Sequence, residues 1–187
     1  MPKVTPHSLQ FATAEAKIEL NLNRLSQLFN SLDPSPFHER DLDRDAEEYI
    51  VGSAEEISRH RSFVLLIHLP QDQVPQGSAS SLNEAIHNYF AYRKMHERRR
   101  LRLLFHDGRL ALATGITFLF CCLLVRKFAI SFEHNAASEI LAEGMLIIGW
   151  VAMWRPLEIF LYEWLPIFRR CRILEKLSVM PVIIKVK

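Results

Sequence analysis

With 187 residues, the chain has room for one compact domain beside a pair of apolar segments, and little more. Its mean hydropathy of +0.04 is high for 24% charged residues, which excludes an even mixture: charge gathers towards the ends and apolar residues in the middle. The net charge of +2 says little, because it is the remainder of separate acidic and basic clusters.

Residues 1–16, with Pro2 and Pro6, read as a flexible lead-in, and residues 1–17 hold no apolar run of the kind a secretory signal needs. Residues 17–79 read as a cytoplasmic α/β portion. Ile18, Leu20 and Leu22 alternate with Glu19, Asn21 and Asn23, the period-two pattern of a half-buried strand. Leu25, Leu28 and Phe29 suit one helical turn, and Asp33, Pro34, Ser35 and Pro36 a chain reversal. A helix is expected from Asp43 or Asp45, since aspartate caps well and Glu47 and Glu48 favour the positive end of the dipole. Its apolar face is Ala46, Ile50, Ala54 and Ile57. Residues 63–69 are continuously apolar apart from His68 and end at Pro70. They read as a central strand, buried on both faces or covered by membrane-proximal helices, and strand–helix–strand makes a right-handed parallel unit the default. A polar loop containing Pro75 and Gly77 follows.

Residues 80–109 form a basic connecting helix, capped by Ser80 or Ser81, with Leu82, Ile86, Tyr89 and Phe90 on its apolar face. It is expected to run into the next segment, on the order of 65 Å in all, with Gly108 as its weak point. Residues 110–168 read as a transmembrane hairpin with an interfacial amphipathic end. A spanning helix needs roughly 20 apolar residues. The first apolar run stops at Val125, slightly short, but Arg126 and Lys127 can snorkel and let the helix continue. That shortness is the main support for the competing reading, a buried hairpin in a soluble core. In the second segment Pro156 predicts a kink or restart. Beyond it Leu157, Phe160, Leu161, Trp164 and Phe168 fall on one helical face. Residues 169–187 form a cytoplasmic tail, and Val182, Ile183, Ile184 and Val186 predict a third strand on the same small sheet. The expected fold is therefore an α+β membrane protein: a two-helix hairpin with a three-stranded cytoplasmic sheet and one or two flanking helices.

Arg98, Arg99, Arg100, Arg102 and Arg109 precede the hairpin, and Arg169 and Arg170 follow it. The positive-inside rule then puts both termini in the cytoplasm. The same seven arginines form a basic patch for anionic headgroups, a reading preferred to nucleic-acid contact beside a membrane segment. Glu143, Trp150, Trp154, Arg155, Glu158 and Trp164 are candidate membrane-interface or oligomer-contact residues.

Chemistry is mostly absent. Asp41, Asp43 and Asp45 suggest a calcium loop, but its glycine and glutamate positions hold Ala46 and Gly52. No close histidine pair such as HExxH is present; His38, Glu39 and Asp41 could bind a metal with His60 only if the fold gathered them, and Cys121, Cys122 and Cys171 have neither metal nor disulfide spacing. No phosphate loop, dinucleotide fingerprint or nucleophile elbow is present. No catalytic residue, cofactor or metal is expected.

Residues 36–50 and 149–158 resemble a group of short bacterial inner-membrane proteins with two spans and a small cytoplasmic α+β portion. The resemblance covers most of the chain after Lys17. It implies a bacterial inner-membrane location and supplies no catalytic residue. The leading expectation is a non-enzymatic membrane-anchored scaffold or interaction module. Its partners would be the lipid bilayer, further copies of itself and possible cytoplasmic proteins. The alternative is a subunit of a small oligomeric channel or transporter, with Thr114, Thr117 and Glu143 lining its path and Arg155 and Glu158 at its cytoplasmic mouth.

Overall fold

A computed structural model describes residues 16–36, 40–57, 62–73, 79–132 and 136–187. Residues 1–15, His38, Glu39, His60, Pro75 and Gly77 lie outside the described residues. The chain is mostly helical, with one three-stranded parallel sheet and two long apolar helices. It divides into two compact units. One combines the chain up to Met95 with Cys171–Lys187, and the other is His96–Arg170.

The first unit is built on β2 (Phe63–Leu69), flanked by β1 (Ala16–Asn21) and β3 (Val182–Val186), both parallel to it. The alternation in β1 buries Ile18 and Leu20 while Lys17, Glu19 and Asn21 are exposed. Register places Ile18 beside Leu65, and Ile67 between Leu20 and Ile184. The near-continuous apolar run of β2 is what a strand buried on both faces requires, and all its residues except His68 are buried. A 3-10 turn at Leu25–Leu28 buries Leu28.

Helix α1 (Arg44–Glu56) starts at its expected cap, the Asp43 side chain accepting from the Asp45 N–H at 3.0 Å. Asp43 and Asp45 thus sit at the helix opening, as the capping reading expects. Ala46, Ile50 and Ala54 are buried as expected, and Val51 joins them. Helix α2 (Ala79–Phe132) begins before the expected Ser80 or Ser81 cap and buries Leu82, Ala85, Ile86, Tyr89 and Phe90 in the same core. Glu47 ties α1 to α2: it accepts from the Tyr89 hydroxyl at 2.7 Å and from Arg93 Nε at 2.8 Å. Burial, and then the bond to Glu47, push the Tyr89 phenol far above its ordinary range. Leu174, Leu177 and Met180 complete the core, and His87 Nε2 lies 2.7 Å from the Met180 carbonyl.

Helix α2 contains 54 residues without a break. At about 1.5 Å per residue it is roughly 80 Å long, longer than expected because it passes Arg126 and Lys127 and continues to Phe132. Gly108 is buried within it and is not a weak point.

In the second unit, α2 from His96 onwards packs antiparallel against α3 (Ala136–Ala152), α4 (Trp154–Glu158), a π turn (Ile159–Glu163) and the start of α5 (Trp164–Leu177). The expected restart is present: Met153 closes a turn onto the Trp150 carbonyl, and α4 opens just before Pro156. Missing side chains let the helices approach. A β-carbon on Gly108 would lie 2.9 Å from Ile159, and one on Gly149 2.8 Å from Leu119 and 3.2 Å from Cys122. One on Gly115 would lie 3.1 Å from the backbone oxygen of Ala152. Gly108, Gly115 and Cys122 recur every seven residues on α2, as Ala142, Gly149 and Pro156 do opposite, and all six are buried. A seven-residue repeat keeps one stripe facing a partner helix.

The expected apolar face after Pro156 divides between packed and exposed residues. Leu157 and Leu161 are exposed, Ile159 is buried, and Phe160, Trp164 and Phe168 form an aromatic chain, the first two meeting Phe105 of α2. The π turn at Ile159–Glu163, whose i→i+5 bonding adds a residue, rotates the residues that follow it relative to a regular helix.

Two measurements follow from these contacts. Pro181 accepts from the Leu65 N–H and Lys187 donates to the Leu69 carbonyl, each at 2.9 Å, so β3 occupies one whole edge of β2. Deleting residues 181–187 should reduce hydrogen-exchange protection in Phe63–Leu69 by about tenfold or more. Gly115→Leu should destabilise the hairpin by about 1–3 kcal/mol in detergent unfolding, through overpacking against backbone. Gly144→Leu should not, because a β-carbon at Gly144 meets nothing within 4 Å.

Candidate functional site

The charged residues within the otherwise apolar hairpin are the candidates. Arg155 opens α4 and projects onto two carboxylates: its Nη1 donates to Glu158 Oε2 at 3.1 Å and to Glu163 Oε1. The Glu158 contact is the ordinary i,i+3 neighbour relation. The Glu163 contact is not. Eight residues make about 2.2 turns of a regular α-helix, which would leave Glu163 well off the Arg155 face. The extra residue in the Ile159–Glu163 turn makes the step equivalent to seven, nearly two full turns, and brings the carboxylate into line. Trp164 Nε1 donates to the Phe160 carbonyl at 2.8 Å inside the same turn. All three charged side chains retain substantial solvent exposure: Arg155 58%, Glu158 45% and Glu163 32%.

The helix contacts locate the other candidates. Gly149 lies against Leu119 and Cys122, so its neighbour Trp150 stands level with the middle of the 110–125 apolar run, 63% exposed. Trp154 is 73% exposed and stands nearer to the Arg109 end. Trp164 meets the Phe105 ring at a tilt, beyond that end. Glu143 is exposed on α3, several turns from Arg155, so the two do not share a site.

Two arginines of the expected basic patch lie beside a carboxylate. Glu97, not singled out by the sequence reading, lies 3.9 Å from Arg100 and 3.7 Å from Arg170. Both contacts are ion-pair distances and not hydrogen bonds. Arg98, Arg99, Arg102, Arg109 and Arg169 are exposed.

The pore-lining candidates satisfy themselves. Thr114 donates back to the Leu110 and Ala111 carbonyls at 3.0 Å, and Thr117 to Ala113 at 2.9 Å. Cys121 is exposed, Cys122 is buried in the helix seam, Cys171 is buried, and none of the three is in a disulfide. Among the described residues, no group of His, Cys, Asp or Glu is arranged to hold a metal.

No protein-family model matches the chain, and neither the curated proteins nor the solved structures include a significant match.

The Arg155 cluster generates one test. Removing the guanidinium leaves two carboxylates close together on an apolar helix pair. Arg155→Ala should lower the unfolding midpoint in mild detergent clearly, and Glu163→Gln by less, since it also removes an excess negative charge. Arg169→Ala should stay within error of the parent. Equal, negligible effects of all three would make the cluster merely superficial.

Proposed function

We propose that this chain is a non-enzymatic membrane-anchored interaction module, with the second unit as the anchor and the small α/β unit as the part offered to partners. The carrying observation is that the two long apolar helices are hardly covered. Of the most apolar stretch of each, 17% and 11% is buried. Ile116, Phe118, Phe120, Leu123, Leu124, Ile147, Ile148 and Val151 are all exposed. A core helix of a soluble protein is covered by its neighbours, and soluble monomers rarely leave contiguous apolar patches above a few hundred Å². Acyl chains are the environment that accepts such a surface, and in α-helices every interior backbone group is already satisfied.

Orientation follows from the flanks. Arginines crowd both outer ends of the hairpin, which favours both termini in the cytoplasm. The resemblance of residues 36–50 and 149–158 to short two-span bacterial proteins supports the bacterial inner membrane as the location. The arginines that Glu97 does not engage then lie at headgroup height, and homo-oligomers form through the exposed hairpin faces.

The test is topological. Full-length protein should stay in the membrane fraction through alkaline extraction. Reporter tags at both termini should read cytoplasm, and a tag at residue 134 the opposite side. Release by alkali would overturn the anchor, and a terminus read outside would overturn the orientation. Ion flux in liposomes above an empty-vesicle control would favour the channel reading instead.

A further inference from the structure

The charges of the hairpin fall into two levels. Gly149 meets Leu119 and Cys122. Glu143 lies six residues earlier, about 9 Å along α3, so in this antiparallel pair it stands level with Arg126 and Lys127. At the other end Gly108 meets Ile159 and Phe160, which puts Glu158 level with Arg109. Arg155 lies about one turn inside that second level, but its guanidinium is held by Glu158 and Glu163. Residues 110–125, the charge-free part of α2, measure roughly 24 Å, and residues 144–154 opposite them roughly 16 Å, at about 1.5 Å per residue. An ordinary hydrocarbon core is about 30 Å thick.

We propose that this hairpin is matched to a thin bilayer, so that its preferred lipid partners are phospholipids with short acyl chains. The inference rests on the membrane-anchor reading above. Snorkelling does not remove the mismatch. Arg109, Arg126 and Lys127 can reach outwards along their stems, but Glu143 and Glu158 end on short ones at the same two levels. Tilting the helices shortens the band further. In an ordinary bilayer the membrane must thin around the hairpin or admit carboxylates into hydrocarbon, and both are unfavourable. In a bilayer several ångströms thinner, both charged levels reach the headgroups, and the Arg155 cluster sits at the boundary instead of inside it.

The test reconstitutes the full chain into phosphatidylcholine vesicles with a fixed fraction of phosphatidylglycerol, using myristoleoyl, oleoyl or erucoyl chains. The fraction resisting alkaline extraction and the thermal midpoint of the inserted protein are measured in each. The expected result is a steady decline from myristoleoyl to erucoyl, by about threefold or more in inserted fraction. A flat series, or one rising with chain length, overturns the thin-bilayer match while leaving the anchor intact. Failure to insert in any of the three removes the anchor reading and this inference with it. A variant carrying Arg126→Leu, Lys127→Leu and Glu143→Leu erases one charged level and should move the optimum to oleoyl chains. An optimum still at myristoleoyl would show that the charged levels do not set the thickness.

Discussion

The close approach of two helices where side chains are missing governs the second unit. Gly108, Gly115 and Gly149 leave gaps that Ile159, the Ala152 backbone and Leu119 fill. At so short a range the two surfaces gain dispersion contacts that a larger side chain at these positions would prevent. Once those three contacts are made, the register along the pair is fixed. It decides which charges share a level, which aromatic rings meet Phe105, and which large side chains face outwards.

The π turn at Ile159–Glu163 is the second determinant, because it changes phase without breaking the rod. Before it, Ala142, Gly149 and Pro156 keep the seven-residue stripe. Within it, Ile159 is buried and Phe160 meets the aromatic cluster. The same rotation carries Glu163 back to Arg155. One local irregularity thereby serves packing on one side and charge balance on the other. A run of regular α-helix could place one of these correctly but not both.

Much of the fold was legible in the residues. Alternation marked Ala16–Asn21, a branched apolar run marked Phe63–Leu69, and Asp43 marked the start of α1, because each signal is local and carries a single meaning. The third strand was legible because four branched residues near the C-terminus are too apolar for a free tail. The helix seam was missed for a physical reason: apolar faces were sought among large residues, whereas here the contact is made by small ones. Glycines at positions 108 and 115 were the available signal, and Gly108 was read as a weakness. Glu163 was invisible at a spacing of eight, which no regular helix brings together. Glu97 was hidden among the arginines that surround it, where its single negative charge looked incidental.

The order of the strands along the chain has a consequence for synthesis. The central strand β2 is made before the two long helices, and its partner β3 only after them. Throughout that interval β2 has one edge unpaired, so the nascent chain carries an adhesive strand while the helix pair is made. A chain stalled or cut between β2 and β3 displays that edge, and one that has reached β3 conceals it. A cell's proteases and chaperones need no knowledge of the hairpin to tell the two apart.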